Sequence, residues 1–122
     1  MRKILLVEDE PIISEPFGIV LRSRNYEVDI ASDGLEALEY CSKNSYDIIL
    51  LDIMMPYCNG IEFLEKALLS TKSPKTKVIM MTNLSGGKEF DDALRLGASR
   101  SLLKASITPN LLIDIIKQEL SE

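Results

Sequence analysis

The chain has 122 residues, 46% of them hydrophobic and 27% charged, and its 14 Lys plus Arg against 19 Asp plus Glu leave a formal net charge of −5. That length suits a single domain, taken here as residues 1–122, and the apolar content excludes a largely disordered chain. The acidic balance argues against direct nucleic-acid binding and no apolar run is long enough to enter and cross a bilayer; with no His, neither His-ligated zinc nor a Ser-His or Cys-His catalytic couple can form within the chain.

The N-terminus opens with Ile4-Leu5-Leu6-Val7, a short apolar run ended by Glu8, Asp9 and Glu10. The acids rule out a signal peptide, and the run reads as a strand buried on both faces. Pro11 suits the first turn of a helix whose apolar face is Ile13, Phe17, Val20 and Leu21. Pro16 lies inside it and is expected to loosen or kink the first turns. Tyr26, Val28 and Ile30 alternate, so residues 26–31 predict a strand at or near an edge. Ser32-Asp33-Gly34 then makes a turn and cap before a helix with Leu35, Leu38 and Cys41 on one face.

Residues 46–51 predict another buried strand, ending at Asp52. Asn59-Gly60 is a turn, followed by a helix carrying Ile61, Leu64, Ala67 and Leu68. Residues 70–76, with Pro74, read as a surface loop. Val78 to Met81 predict a fourth buried strand ending at Thr82. Gly86-Gly87 lies in the loop before a helix carrying Phe90, Ala93 and Leu94, which Gly97 closes. Ser101 to Leu103 predict a short fifth strand ending at Lys104. Thr108-Pro109 caps a last helix bearing Leu112, Ile115, Ile116 and Leu120. Cys41 and Cys58 form no CxxC pair and are expected to be free thiols in a reducing cytoplasm.

Five strands alternating with five helices predict an α/β fold: a flavodoxin-like doubly wound five-stranded parallel sheet with strand order 2-1-3-4-5. Ligand sites in such sheets lie beyond the carboxyl ends of the strands. Glu8 and Asp9, Asp52, Thr82 and Lys104 all fall there, at the ends of four of the five strands. Carboxylates brought together need some combination of a raised pKa and a bound cation to relieve their repulsion, and hard oxygen donors suit Mg2+, with Mn2+ also fitting. A hard cation, an ammonium and a hydroxyl together suit phosphoryl transfer, with a carboxylate as acceptor. Taken singly, Asp9 could be a helix cap and Lys104 a solvated loop residue.

The segments 4–10, 31–38, 47–56, 78–82 and 96–104 together resemble the response-regulator receiver domains of two-component signalling. The likeness covers essentially the whole chain. It implies Asp52 as phosphoacceptor, Asp9 as a direct magnesium ligand and Glu8 as a ligand through water. Asp52 and the backbone carbonyl of Met54 would complete the metal set, while Thr82 and Lys104 would bind phosphoryl oxygens. The implied partners are a sensor histidine kinase or phosphotransfer protein and an output partner or domain. The resemblance also allows a phosphorylation-linked dimer.

Two positions depart from the family pattern: Ala105 follows the lysine in place of proline, and Ser101 stands where an aromatic switch residue is usual. A cis bond before alanine costs about 2.5–4 kcal/mol, so Lys104-Ala105 is expected to be trans. With no ring at 101, the output signal is expected from the 83–88 loop and the segment after Lys104. Met54 and Leu84, beside the path of hydrolytic water in receivers, are apolar, which predicts slow self-dephosphorylation. The competing reading is a receiver-like interaction module that works without phosphorylation. An aspartyl phosphatase turning over external substrates is disfavoured by Met54 at the position of that family's second Asp. No GxGxxG follows the first strand, which disfavours a dinucleotide site. The chain stops just after the last helix, which suits a stand-alone receiver or one with an output domain beyond Glu122.

Overall fold

A computed structural model describes residues 2–53, 59–67, 75–82 and 88–121. Five strands form one parallel sheet: β1 (Lys3–Val7), β2 (Glu27–Ala31), β3 (Ile48–Asp52), β4 (Lys77–Thr82) and β5 (Ala98–Leu103), in the order β2-β1-β3-β4-β5. The described residues form five α-helices: α1 (Pro11–Ser23), α2 (Gly34–Lys43), α3 (Gly60–Ala67), α4 (Lys88–Arg95) and α5 (Pro109–Leu120). A 3-10 turn, Lys104–Ser106, follows β5 directly.

Period-2 alternation divides the core. Leu5, Val7, Ile49, Leu51, Val78 and Met80 face one layer with Ala37, Phe63 and Leu64 of α2 and α3. Ile4, Leu6, Ile48, Leu50, Ile79 and Met81 face the other, with Leu21 of α1 and Leu112, Ile113, Ile115 and Ile116 of α5. The three central strands are therefore apolar on both faces, as the continuous runs in the sequence require. β2 is an edge. Its Glu27 amide and Ala31 carbonyl turn inward, bonded to Arg2 and Glu8 at 2.9 and 3.0 Å. The Val28 carbonyl, on the opposite phase, accepts a 3.0 Å bond from the Arg22 guanidinium.

Local chemistry sets the ends of the elements. Asp33 caps α2 by accepting from the Glu36 amide at 2.8 Å, and Thr108 caps α5 by accepting from Leu111 at 3.2 Å. Gly97 closes α4 with φ 114°, a conformation open to glycine and rare for other residues. Tyr46, buried before β3, donates to Asp29 at 2.7 Å, and its backbone carbonyl accepts from Thr76 at 2.6 Å.

Several expectations need correction. α1 runs unbroken through Pro16, because the carbonyl that the proline leaves unpaired is that of Ile12, in the solvent-open first turn. Leu35 and Leu94 are exposed, not packed. Ala37 takes the inward position on α2, and Leu96, just past α4, reaches the core in place of Leu94. β3 starts at Ile48 rather than 46, although the Asp47 backbone already bonds to Lys3 and Lys77 at 2.8 and 3.0 Å. β5 starts earlier, at Ala98, where an irregularity in its pairing with β4 obscures the alternation. Met54, Cys58, Leu68, Pro74, Leu84, Gly86 and Gly87, and the side chains of Phe90 and Ala93, lie outside the described residues.

Candidate functional site

Each expected site residue that is described sits at the carboxyl end of the sheet. Glu8 follows β1, Asp52 is the last residue of β3, Thr82 the last of β4, and Lys104 opens the 3-10 turn after β5. β2 lies on one side of β1, and β3, β4 and β5 follow in turn on the other, so the direction of winding reverses between β1 and β3. The crevice of a doubly wound sheet lies there.

Lys104 ties the site together. Its side chain is buried, and its Nζ lies 3.1 Å from Asp52 Oδ2, 3.1 Å from Glu8 Oε1 and 3.0 Å from Glu8 Oε2. Glu10 Oε1, on the exposed rim, is 3.5 Å away. The lysine is therefore no solvated loop residue. Burial alone would lower its pKa, but the hydrogen bonds and charges of Glu8 and Asp52 outweigh that and hold it above its ordinary value. The Lys104-Ala105 bond is trans, as expected, and the ammonium still reaches the acids from the 3-10 turn.

Glu8 and Asp52 are almost fully buried, and so is Thr82. Burial pushes the Glu8 carboxyl from 4.5 up to about 7. The Lys104 hydrogen bond offsets part of that rise, and the neighbouring Asp52 charge adds to it. Glu8 Oε1 also accepts from the Glu10 amide at 3.2 Å. Oε2 has the ammonium beside it as a charge but no donor aligned for a hydrogen bond.

Asp9 is not the cap of α1. That position is Glu10, whose backbone carbonyl accepts from Ile13 and Ser14 and whose side chain makes no capping bond. Asp9 instead shares a cluster with Glu8 and Glu10, with one carboxylate oxygen from each within 4.8 Å of the others. All three donors are hard oxygens, and the buried Oε2 of Glu8 lacks an aligned partner. The set fits a hard divalent cation and not zinc. Asp52 is not one of those three but is linked to Glu8 and Glu10 through Lys104. Met54 and Leu84, the other positions expected near the acceptor, lie outside the described residues.

Glu10 and Gly60 escaped the sequence reading. Glu10 was visible only as the third acid of a run. Gly60 read as a turn, yet it begins α3 with its amide donating to the Ile53 carbonyl at 2.9 Å. Asn59 caps that helix reciprocally, accepting from the Glu62 amide at 2.9 Å while its own amide donates to Glu62 at 3.3 Å. The Asn-x-x-Glu spacing was the available signal.

An open parallel α/β sheet with acids and a buried lysine gathered at its switch point is a doubly wound α/β domain with a charged site beyond its strand ends. The model of the response regulator receiver domain family matches residues 4–117, and the chain belongs to that family. It is 36% identical over 115 residues to the response regulator ArlR of Staphylococcus saprophyticus, covering 94% of this chain and 51% of that protein. It is 35% identical over 132 residues to hybrid signal transduction histidine kinase B of Dictyostelium discoideum, covering 99% of this chain and 7% of that one. The chain thus spans about half the length of the response regulator and a small part of the kinase. Among solved structures, it resembles a CheY-like receiver domain protein from Methanospirillum hungatei, at 30% identity and a TM-score of 0.91 over 99% of this chain and 94% of that one. The response regulator TrrA of Thermotoga maritima, solved in complex with Mg2+-BeF, matches at 31% identity and a TM-score of 0.82, covering 98% and 99% of the two chains.

Proposed function

We propose that this receiver domain is a phosphorylation-dependent signalling switch in which Asp52 accepts a phosphoryl group. The observation that carries the reading is the buried Lys104 ammonium 3.1 Å from the Asp52 carboxylate. The donor is a phosphohistidine on a sensor histidine kinase or phosphotransfer protein, since this chain has no His of its own. An Asp52 oxygen attacks phosphorus, the P–N bond breaks, and the imidazole leaves, giving an acyl phosphate. Lys104 holds the carboxylate in line and then neutralises charge on the transferred oxygens. The Thr82 hydroxyl, at the end of the adjacent strand, donates to the same oxygens.

Glu8, Asp9 and Asp52, with the Met54 carbonyl, would hold Mg2+ or Mn2+, which supplies charge neutralisation for the incoming group; the Mg2+ in the TrrA structure supports that assignment. Glu8 and Asp9 would bind the cation through carboxylate oxygens, next in sequence to the buried Val7 of β1. No external substrate is turned over. Charge relocation at Lys104 and Thr82 passes to the 83–88 loop and the segment after Lys104, changing the affinity for an output partner or domain, or for a second copy. Exposed Ile12 and Ile19 on α1, which starts beside the acids, offer an apolar contact for the donor protein. The switch works in the cytoplasm, inserts in no membrane and binds no nucleic acid through this domain; among the described residues no helix is long and apolar enough to cross a bilayer.

The test is incubation with a small acyl phosphate or phosphoramidate and magnesium, followed by mass spectrometry. Wild-type protein gains one phosphoryl group on Asp52, and chelation of the metal stops the reaction. Label found elsewhere, or persisting in Asp52→Asn, would leave the non-phosphorylated interaction module as the better reading.

A further inference from the structure

The start of α3 lies against the backbone of the proposed acceptor. A β-carbon on Gly60 would sit 2.7 Å from the Asp52 carbonyl oxygen, 2.9 Å from Ile53 Cα and 3.3 Å from the Asp52 carbonyl carbon. All three are backbone atoms, so no flexible side chain can move aside. The φ of Gly60 lies outside the left-handed region, so glycine is required here for space and not for conformation.

Neither partner in this contact can withdraw easily. α3 is anchored by Phe63 and Leu64, both fully buried, and its first turn is locked by the Asn59–Glu62 cap. β3 is paired on both sides, to β1 and β4. Its last stretch is held by a long bond. The Ile53 amide reaches the Met81 carbonyl at 3.3 Å, against 2.9 Å for the Gly60 amide on the Ile53 carbonyl. Displacement would therefore concentrate at Asp52 and Ile53, where the Asp52 carboxylate holds its 3.1 Å contact with Lys104.

We infer that Gly60 is a positioning residue for the phosphoryl acceptor: its missing side chain lets α3 seat on the Asp52 carbonyl and sets where the carboxylate stands relative to Lys104 and Glu8. The inference rests on Asp52 being the acceptor. Misplacing a reacting group by about 1 Å can cost on the order of a hundredfold in rate. The clash in Gly60→Ala is a few tenths of an ångström to nearly that, so roughly a tenfold loss is expected.

The experiment compares the rate of Asp52 labelling by acetyl phosphate, over a range of donor concentrations with saturating magnesium, in wild type, Gly60→Ala, Asn59→Ala and Ala67→Gly. Folding is checked by circular dichroism and the unfolding midpoint. Ala67→Gly weakens α3 at its far end without touching Asp52. The expected result is a limiting rate about tenfold lower in Gly60→Ala and about threefold lower in Asn59→Ala, with donor half-saturation unchanged and Ala67→Gly at the wild-type rate. A folded Gly60→Ala that labels at the wild-type rate overturns the inference. So does Ala67→Gly slowed as much as Gly60→Ala, since loss of stability would then suffice. If Gly60→Ala does not fold, Asn59→Ala decides: slowed labelling supports the inference and a wild-type rate overturns it. Wild-type protein that takes no label at Asp52 refutes the parent reading instead, and is told apart by that control.

Discussion

Replacing Glu8 by Gln should change how stability depends on pH, and the sign follows from the direction of its shift. In the metal-free fold the carboxyl titrates at about 7, against 4.5 when exposed. The folded state therefore binds the proton more tightly than the unfolded chain. The stabilisation from that proton is complete below about 4.5 and is lost as pH rises through about 7. Between pH 5 and 8.5 the shift corresponds to about 2–3 kcal/mol. For a domain of this size that is roughly 8–12 °C of melting temperature. Lys104 remains charged across the window and Asp52, Asp9 and Glu10 stand nearby, so the comparison must be with Glu8→Gln, which keeps shape and those neighbours. Unfolding in EDTA at constant ionic strength should show wild type losing about 2–3 kcal/mol against Glu8→Gln from pH 5 to 8.5. Saturating magnesium should flatten that difference, because a bound cation favours the ionised carboxylate. A wild-type-minus-variant difference that is constant in pH would refute the reasoning, since it would mean that burial does not hold Glu8 protonated.

Lys104→Met should cost about 3–5 kcal/mol at pH 8, the penalty of leaving buried carboxylates without their cation. Urea unfolding should show a smaller loss at pH 5.5, where Glu8 takes up a proton. Gly97→Ala should cost about 1–2 kcal/mol, because φ there is 114°; a cost near zero would mean that the loop relaxes without strain. The acyl phosphate should be long-lived, and Met54→Asn with Leu84→Glu should shorten its life on the order of tenfold by orienting water. Unchanged or slower hydrolysis in that double variant would remove the two apolar side chains as the cause.

The legible parts of this chain were those where one physical signal dominated. Ile4 to Val7, Ile48 to Leu51 and Val78 to Met81 are apolar on both faces, short, and bounded by polar residues, as central parallel strands are. Crossover handedness then gave a parallel sheet with helices on both faces, the flavodoxin-like pattern gave the strand order, and the carboxyl ends of the strands brought Glu8, Asp9, Asp52, Thr82 and Lys104 to one edge. Competing signals hid the rest. Leu35 and Leu94 are apolar and near the right spacing, but Ala37 and Leu96 hold the inward places. Glu10 carries no pattern that separates a rim carboxylate from a solvated one. The closeness of Gly60 to the Asp52 carbonyl depends on where α3 returns to β3, a tertiary fact that no local spacing encodes. The Asp9 cap was plausible from turn chemistry until the backbone placed Glu10 in that role.

The Arg22 guanidinium on the Val28 carbonyl bears on how copies of this protein meet. An unpaired edge strand invites a neighbouring chain to extend the sheet, and such contacts, once zipped, come apart slowly. Here an outward-facing carbonyl of β2 is already taken, and the arginine adds a positive charge at the boundary. Extension of the sheet across β2 would have to displace this side chain of the protein's own first helix. Association through helix surfaces involves no such backbone pairing. Sealing that position makes a slowly reversible, backbone-paired partner harder to acquire.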